Sequence, residues 1–125
     1  MTGERPGVSD LHVHIQPWRQ LKADVATVMR RGKEARWESL LALMDDPRAL
    51  LDLMDERDIW RVGLINYPSP DIMGFDDTTN AFAAKYASAA PDRLLPYGGV
   101  HPRFTTDPEG QVEELLALGI RCLKI

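Results

Sequence analysis

Asp10-Leu11-His12-Val13-His14-Ile15-Gln16-Pro17 opens with six residues that alternate polar and apolar, the pattern of a β-strand. Successive side chains on a strand point to opposite faces. Asp10, His12 and His14 therefore share one face, and Leu11, Val13 and Ile15 share the other. The apolar face suits packing against helices. The polar face carries two imidazoles spaced to chelate one ion from one strand end, and neutral imidazole is the commonest protein ligand for zinc and similar metals. Taken alone, the pair reads equally well as two polar residues on a half-exposed strand. Pro17 ends the strand, leaving Gln16 and Trp18 just beyond the imidazoles.

Working outward, residues 1–8 read as a loose lead-in. Residues 19–45 are longer than an ordinary strand-to-helix loop. They hold two helical patterns, Leu21, Val25, Val28 and Met29, then Trp37, Leu40, Leu41 and Met44, separated by Gly32. This predicts a helical insertion over the site end of the sheet. Asp46-Pro47 is a helix start, Asp as cap and Pro in the first turn, for a helix from about Pro47 to Arg57. A strand follows over Trp60–Asn66, with Val62 and Leu64 on one face and Gly63 and Ile65 on the other. Apolar residues on both faces suit a parallel strand covered on both sides. Tyr67-Pro68-Ser69-Pro70 then makes a rigid loop.

A helix from Asp76 or Asp77 to about Ala89, with Phe82, Tyr86 and Ala89 inward, stops at Ala90-Pro91. The third strand spans Leu94–Val100, where Gly98-Gly99 leaves room for close backbone approach, and His101-Pro102 closes it. Asp107-Pro108 repeats the helix start, with Val112, Leu115 and Leu116 as the stripe and Gly119 as the stop. Ile120–Ile125 begins a fourth strand, with Ile120, Cys122 and Lys124 on one face and Leu123 and Ile125 on the other. Strands alternating with helices predict an α/β fold with a parallel sheet. Periodicity does not separate a barrel from a doubly wound sheet, but no Gly-x-Gly-x-x-Gly follows strand one.

Composition narrows the function classes. Apolar residues at 44% and charged residues at 27% describe one ordinary globular domain over residues 1–125. A net charge of −4 without a basic stripe weighs against nucleic acid as partner; Arg30-Arg31-Gly32-Lys33 reads as a solvated helix end. Cys122 is the only cysteine, which excludes an internal disulfide and fits a reducing, cytoplasmic setting. Met1–Gly7 lacks an apolar signal core, and no apolar run reaches membrane-span length, so no membrane partner is expected.

Taken in order, these pieces resemble the amidohydrolase superfamily of metal-dependent (β/α)8-barrel enzymes, and within it the branch that includes aminocarboxymuconate semialdehyde decarboxylase and related hydrolases, decarboxylases and hydratases. The matching segments are Asp10-Leu11-His12-Val13-His14, Asn80 with Ala90-Pro91-Asp92-Arg93-Leu94, Gly98-Gly99-Val100-His101-Pro102, and Gly119-Ile120-Arg121-Cys122-Leu123-Lys124-Ile125. The resemblance implies the N-terminal half of a (β/α)8 TIM barrel. It implies His12 and His14 as ligands of a divalent metal, zinc (Zn) first and manganese or another ion next. Asp10, nearer the barrel bottom, would support them. A strand-five His, a strand-eight Asp and the catalytic acid–base groups would all lie beyond Ile125. The implied function is a metal-dependent hydrolase acting on a small carboxylated or cyclic substrate through a water whose pKa falls from about 15.7 toward about 7. A decarboxylase or hydratase of the same branch is the alternative. Further rivals are a deoxyribonuclease-like hydrolase, which shares the His-x-His and Gly-x-His-Pro segments, and a non-catalytic α/β domain.

Three residues are candidates for substrate contact: Lys124, Trp18 and His101. An inward lysine near a strand end is costly unless an anion or carboxylate meets it. Some superfamily members carbamylate a strand-four lysine to bridge two metals, but the branch resembled here mostly uses one, which leaves a substrate carboxylate as the expected partner; the rival is a head that reaches solvent. Trp18 would wall a pocket or cap the local core. His101 would line the pocket or serve its turn, and Arg103 beside it would attract acidic substrates or lie on the surface.

The final run stops inside a strand-like pattern, and four strand patterns stand where the resembled barrel has eight. A half barrel also leaves the edges of strands one and four open to association, including homo-oligomer formation. The reading frame is predicted to continue past Ile125 with His-Pro and four further strand–helix units, to a total of roughly 250–330 residues. Sequencing the source locus tests this, and a genuine stop codon directly after Ile125 would overturn it.

Overall fold

The computed structural model describes residues 7–125. The strands β1 (Val8–His14), β2 (Ile59–Ile65), β3 (Leu94–Gly99) and β4 (Cys122–Lys124) form one sheet in the order β1-β2-β3-β4. Every neighbouring pair is parallel. The sheet curls into a half-barrel with helices between its strands, an α/β fold consistent with half of a (β/α)8 barrel. Parallel neighbours need long crossovers, and helices supply them: α1 (Ala23–Arg30), α2 (Trp37–Asp45) and α3 (Pro47–Glu56) after β1, α4 (Thr78–Ala87) after β2, and α5 (Pro108–Ala117) after β3. Of the expected lead-in, residues 1–6 lie outside the described residues, and Val8 already belongs to β1. Among the described residues no helix is long and apolar enough to cross a membrane.

Local chemistry sets the helix boundaries. The Asp46 carboxylate accepts from the Arg48 N–H at 2.9 Å and the Asp107 carboxylate from the Gly110 N–H at 3.0 Å, with proline following each cap. Gly119 takes φ +81°, the left-handed stop that a side chain would oppose, and Ile120 N–H closes back on the Leu115 carbonyl. The core lies on the helix side of the sheet. Val62, Leu64 and Leu94 meet Met44, Leu50, Met54, Tyr86 and Ala87 there, with Ile15 beside them. Fully burying one such aliphatic side chain contributes about 1.5–3 kcal/mol. Tyr86 enters this core because its hydroxyl donates to the Leu43 carbonyl at 2.5 Å; burial, then the nearby Asp46 charge, raises its pKa.

Residues 20–22 tie the insertion to the loop after β2. Lys22 donates through its backbone N–H to the Met73 carbonyl and through Nζ to the Asp71 carbonyl. The helical insertion expected after β1 is present, and Lys22 joins its start to the loop after β2, while Met44 of α2 packs into the helix-side core.

Several expectations need correction, among them Leu116 in the α5 stripe, which is 49% exposed. Between Asp10 and Val13, β1 advances three residues while β2 advances two, Val62 to Leu64. The extra residue breaks strict alternation. The Asp10 carboxylate accepts from the His12 N–H at 3.0 Å in a local turn instead of sharing the imidazole face. Leu11 is 52% exposed because β1 is an outer strand; its apolar face is covered only from Val13 onward. Ile120 precedes β4 and packs with Leu115 against Gly98, on the helix side and not on the face of Lys124. Ala89 lies past the end of α4 and is exposed, so Ala83 and Ala87 take the inner positions with Tyr86.

One buried side chain fixes the end of β3. Asn80 is 1% exposed; its Nδ2 donates to the Gly99 carbonyl at 3.0 Å and its Oδ1 accepts from the Gly99 N–H at 2.9 Å. Asn80→Ala would leave both buried backbone groups without that partner. The predicted loss is about 2–4 kcal/mol, measured as a lower urea midpoint; an unchanged midpoint would refute the clamp.

Candidate functional site

The site grows from β1. Beyond the extra residue, His12 and His14 fall on one side of the strand and their Nε2 atoms stand 3.1 Å apart. Their rings are tilted at 51° with centroids 5.0 Å apart. At that separation one ring donates and the other accepts, so the two cannot both be imidazolium without setting N–H against N–H. The pair also fits a shared ion. With metal–nitrogen bonds of about 2.0–2.1 Å, a 3.1 Å separation subtends roughly 95–102° at the ion, between the octahedral and tetrahedral angles. Among the described residues no group of three His, Cys, Asp or Glu converges. This segment therefore offers two ligands and not a complete coordination sphere.

His14 is held below its ordinary pKa by burial, by the charge of His12 and by that of Lys124. Lys124 acts on His14 from across the sheet. Lys124 is half-buried on β4, in register with Gly99 of β3. Tyr67, the second residue past β2, meets His14 edge-on, with centroids 6.2 Å apart and an interplanar angle of 86°.

Tyr67 also borders a cleft of about 260 Å³ at the C-terminal end of the sheet. Its walls come from the loop after β2 (Tyr67, Pro68, Ser69), the loop after β3 (Val100, His101, Pro102) and the end of β4 (Lys124, Ile125). Gly99 permits this closeness: a Cβ there would lie 2.6 Å from Pro68 Cδ. His101 borders the cleft, and its Nδ1 accepts from the Arg103 and Phe104 N–H groups at 3.1 and 3.3 Å, which organises its turn. Arg103 itself is exposed, its guanidinium over the Phe104 ring.

Trp18 is not brought to this cleft. It stacks on Trp37 at 5.2 Å and packs against the core cluster, so the aromatic wall of the cleft is Tyr67. Tyr67 was legible only as a residue in a proline-flanked loop after a strand. Nothing in its local sequence marks contact with His14. Gln16 Nε2 and Trp18 Nε1 are buried donors without partners, just past the imidazoles. Such groups carry a desolvation cost of about 1–3 kcal/mol each. No protein-family model, curated protein or solved structure matches the chain.

The His14 shift has a definite sign. Its folded pKa lies below 6.5, so the unfolded chain binds more protons in the window just under that value. This contribution makes stability rise with pH through the window and level off above it. A proton-NMR titration of the His14 ring should give a midpoint below 6.5, and Lys124→Met should raise it part of the way, since burial and His12 remain. A midpoint indifferent to Lys124 would contradict the coupling.

Proposed function

We propose that this chain carries the imidazole half of a metal-dependent hydrolase site of the amidohydrolase type, acting on a small carboxylated or cyclic substrate. The observation that carries the reading is the convergence of His12 Nε2 and His14 Nε2 to 3.1 Å at one strand end of a parallel sheet. A divalent ion, zinc by its affinity for nitrogen donors, would supply a Lewis acid able to polarise a substrate carbonyl and acidify a water. His12 and His14 would hold it. The lowered pKa of His14 favours the unprotonated ring that metal binding requires. Tyr67 walls the space beside His14, and the Lys124 charge attracts an anionic substrate into it.

A non-catalytic α/β domain gives no reason for paired imidazole nitrogens beside a half-buried lysine. A nucleic-acid substrate would call for a row of cations to meet successive phosphates, and the cleft holds one lysine. A decarboxylase or hydratase of the same branch would use the same pair.

Metal content tests the proposal. In the product of the full reading frame, plasma mass spectrometry should find about one divalent ion per wild-type molecule and a loss of it in the His12→Ala, His14→Ala double variant. Equal metal in both proteins would sink it.

A further inference from the structure

We propose that the Arg31–Gly32 peptide bond is a processing site for an arginine-specific endoprotease of the trypsin type, and that the cut chain stays folded. This goes beyond the hydrolase reading and does not depend on it.

Exposure and backbone shape select the bond. Every residue from Arg30 to Arg36 is exposed, and a Cβ built on Gly32 would meet no atom within 4 Å. Arg31, just past the end of α1, is extended, with φ −55° and ψ 128°. Extended backbone is the form in which a peptide lies along a receptor's sheet edge. Gly32 then takes φ +72°, a left-handed turn that glycine makes without strain. Proteases of this type seat the side chain before the cut in an acidic pocket. The Arg31 guanidinium enters neither ion pair among the described residues, Arg19–Asp45 or Arg93–Asp55. Its neighbours are less suited: Arg30 is still helical, and the Lys33 ammonium donates to the Met29 carbonyl at 2.9 Å.

Local stability favours cutting here. α1 fully buries no side chain, and its Val28 is 58% exposed, whereas α3 buries Leu50 and Met54. The bonds that hold the turn lie within it. Arg31 N–H donates to the Val28 carbonyl at 3.2 Å, Lys33 N–H to the Arg30 carbonyl at 2.9 Å, and Gly32 N–H to the Glu34 carboxylate at 3.2 Å. Segments with few buried apolar contacts and exposed hydrogen bonds open at low local free energy. Arg103, exposed in the loop after β3, differs, because His101 Nδ1 accepts from its N–H and from that of Phe104.

Both flanks are anchored without the bond. On one side β1 pairs with β2, Ile15 lies in the core, and Lys22 N–H donates to the Met73 carbonyl at 3.0 Å. On the other, Trp37 and Met44 are buried. The Trp18–Trp37 stack and the Arg19–Asp45 pair join the two sides. Hydrolysis adds one water across the amide, leaving a carboxylate on Arg31 and an ammonium on Gly32, both in solvent. The piece that ends at Arg31 carries β1 with His12 and His14 and stays docked on the sheet.

Limited trypsin digestion of the product of the full reading frame, read by intact-mass spectrometry, tests this. Within residues 7–125 the first cut should fall after Arg31, and both pieces should share one size-exclusion peak until urea is added. Arg31→Gln should slow the first cut by about tenfold or more and Arg30→Gln by no more than about twofold, since the segment opens equally in both and only the first removes the residue before the cut. Both side chains are exposed, so the fold tolerates either change. A first cut elsewhere in that range, or none, would overturn the site. Pieces that separate without denaturant would overturn the folded product.

Discussion

Parallel pairing of β1, β2, β3 and β4 is the constraint on which the rest of the molecule depends. Parallel strands send all their C-terminal ends to one side, and each helical crossover exists to return the chain to the other. His14, Tyr67, His101 and Lys124 lie far apart in the chain, yet each follows or ends a strand and so reaches the same side. The helix-side core holds this arrangement in place. Leu64 and Leu94 are fully buried beneath the strands whose ends carry Tyr67 and His101, so packing and site geometry are two faces of one sheet.

Close backbone approach refines that geometry. Gly98 lacks a side chain where Leu115 and Ile120 press against β3, and Gly99 lacks one where Pro68 does. Asn80 then pairs with both backbone groups of Gly99, much as a neighbouring strand would. The cleft is assembled from loops that rest on these contacts. His101 extends the same logic outward, its ring nitrogen organising the turn that presents it.

Electrostatics links the two ends of the site. Lys124 and His12 both disfavour a proton on His14, and burial acts in the same direction. Unprotonated imidazoles suit a metal, and the lysine charge suits an anion. The same charge arrangement would therefore suit both the ion proposed at the imidazole pair and an anionic substrate beside it.

Much of this was determined by sequence alone. Period-two alternation announced β1, the Asp-Pro pairs announced α3 and α5, and the strand–helix order announced a parallel α/β sheet, because each of these signals is local. His12 and His14 were candidates for the same reason: a two-residue spacing on a strand needs no tertiary information. Tertiary structure decided the rest. The extra residue in β1 removed Asp10 from the imidazole face, since register is a property of two strands and not of one. Trp18 found Trp37 instead of a pocket, and Tyr67 found His14, because stacking partners distant in the chain leave no mark on either local stretch. Whether an inward lysine meets water, a carboxylate or a cleft depends on what the neighbouring strand ends bring beside it, and only the folded sheet brings Lys124 to Tyr67 and His101.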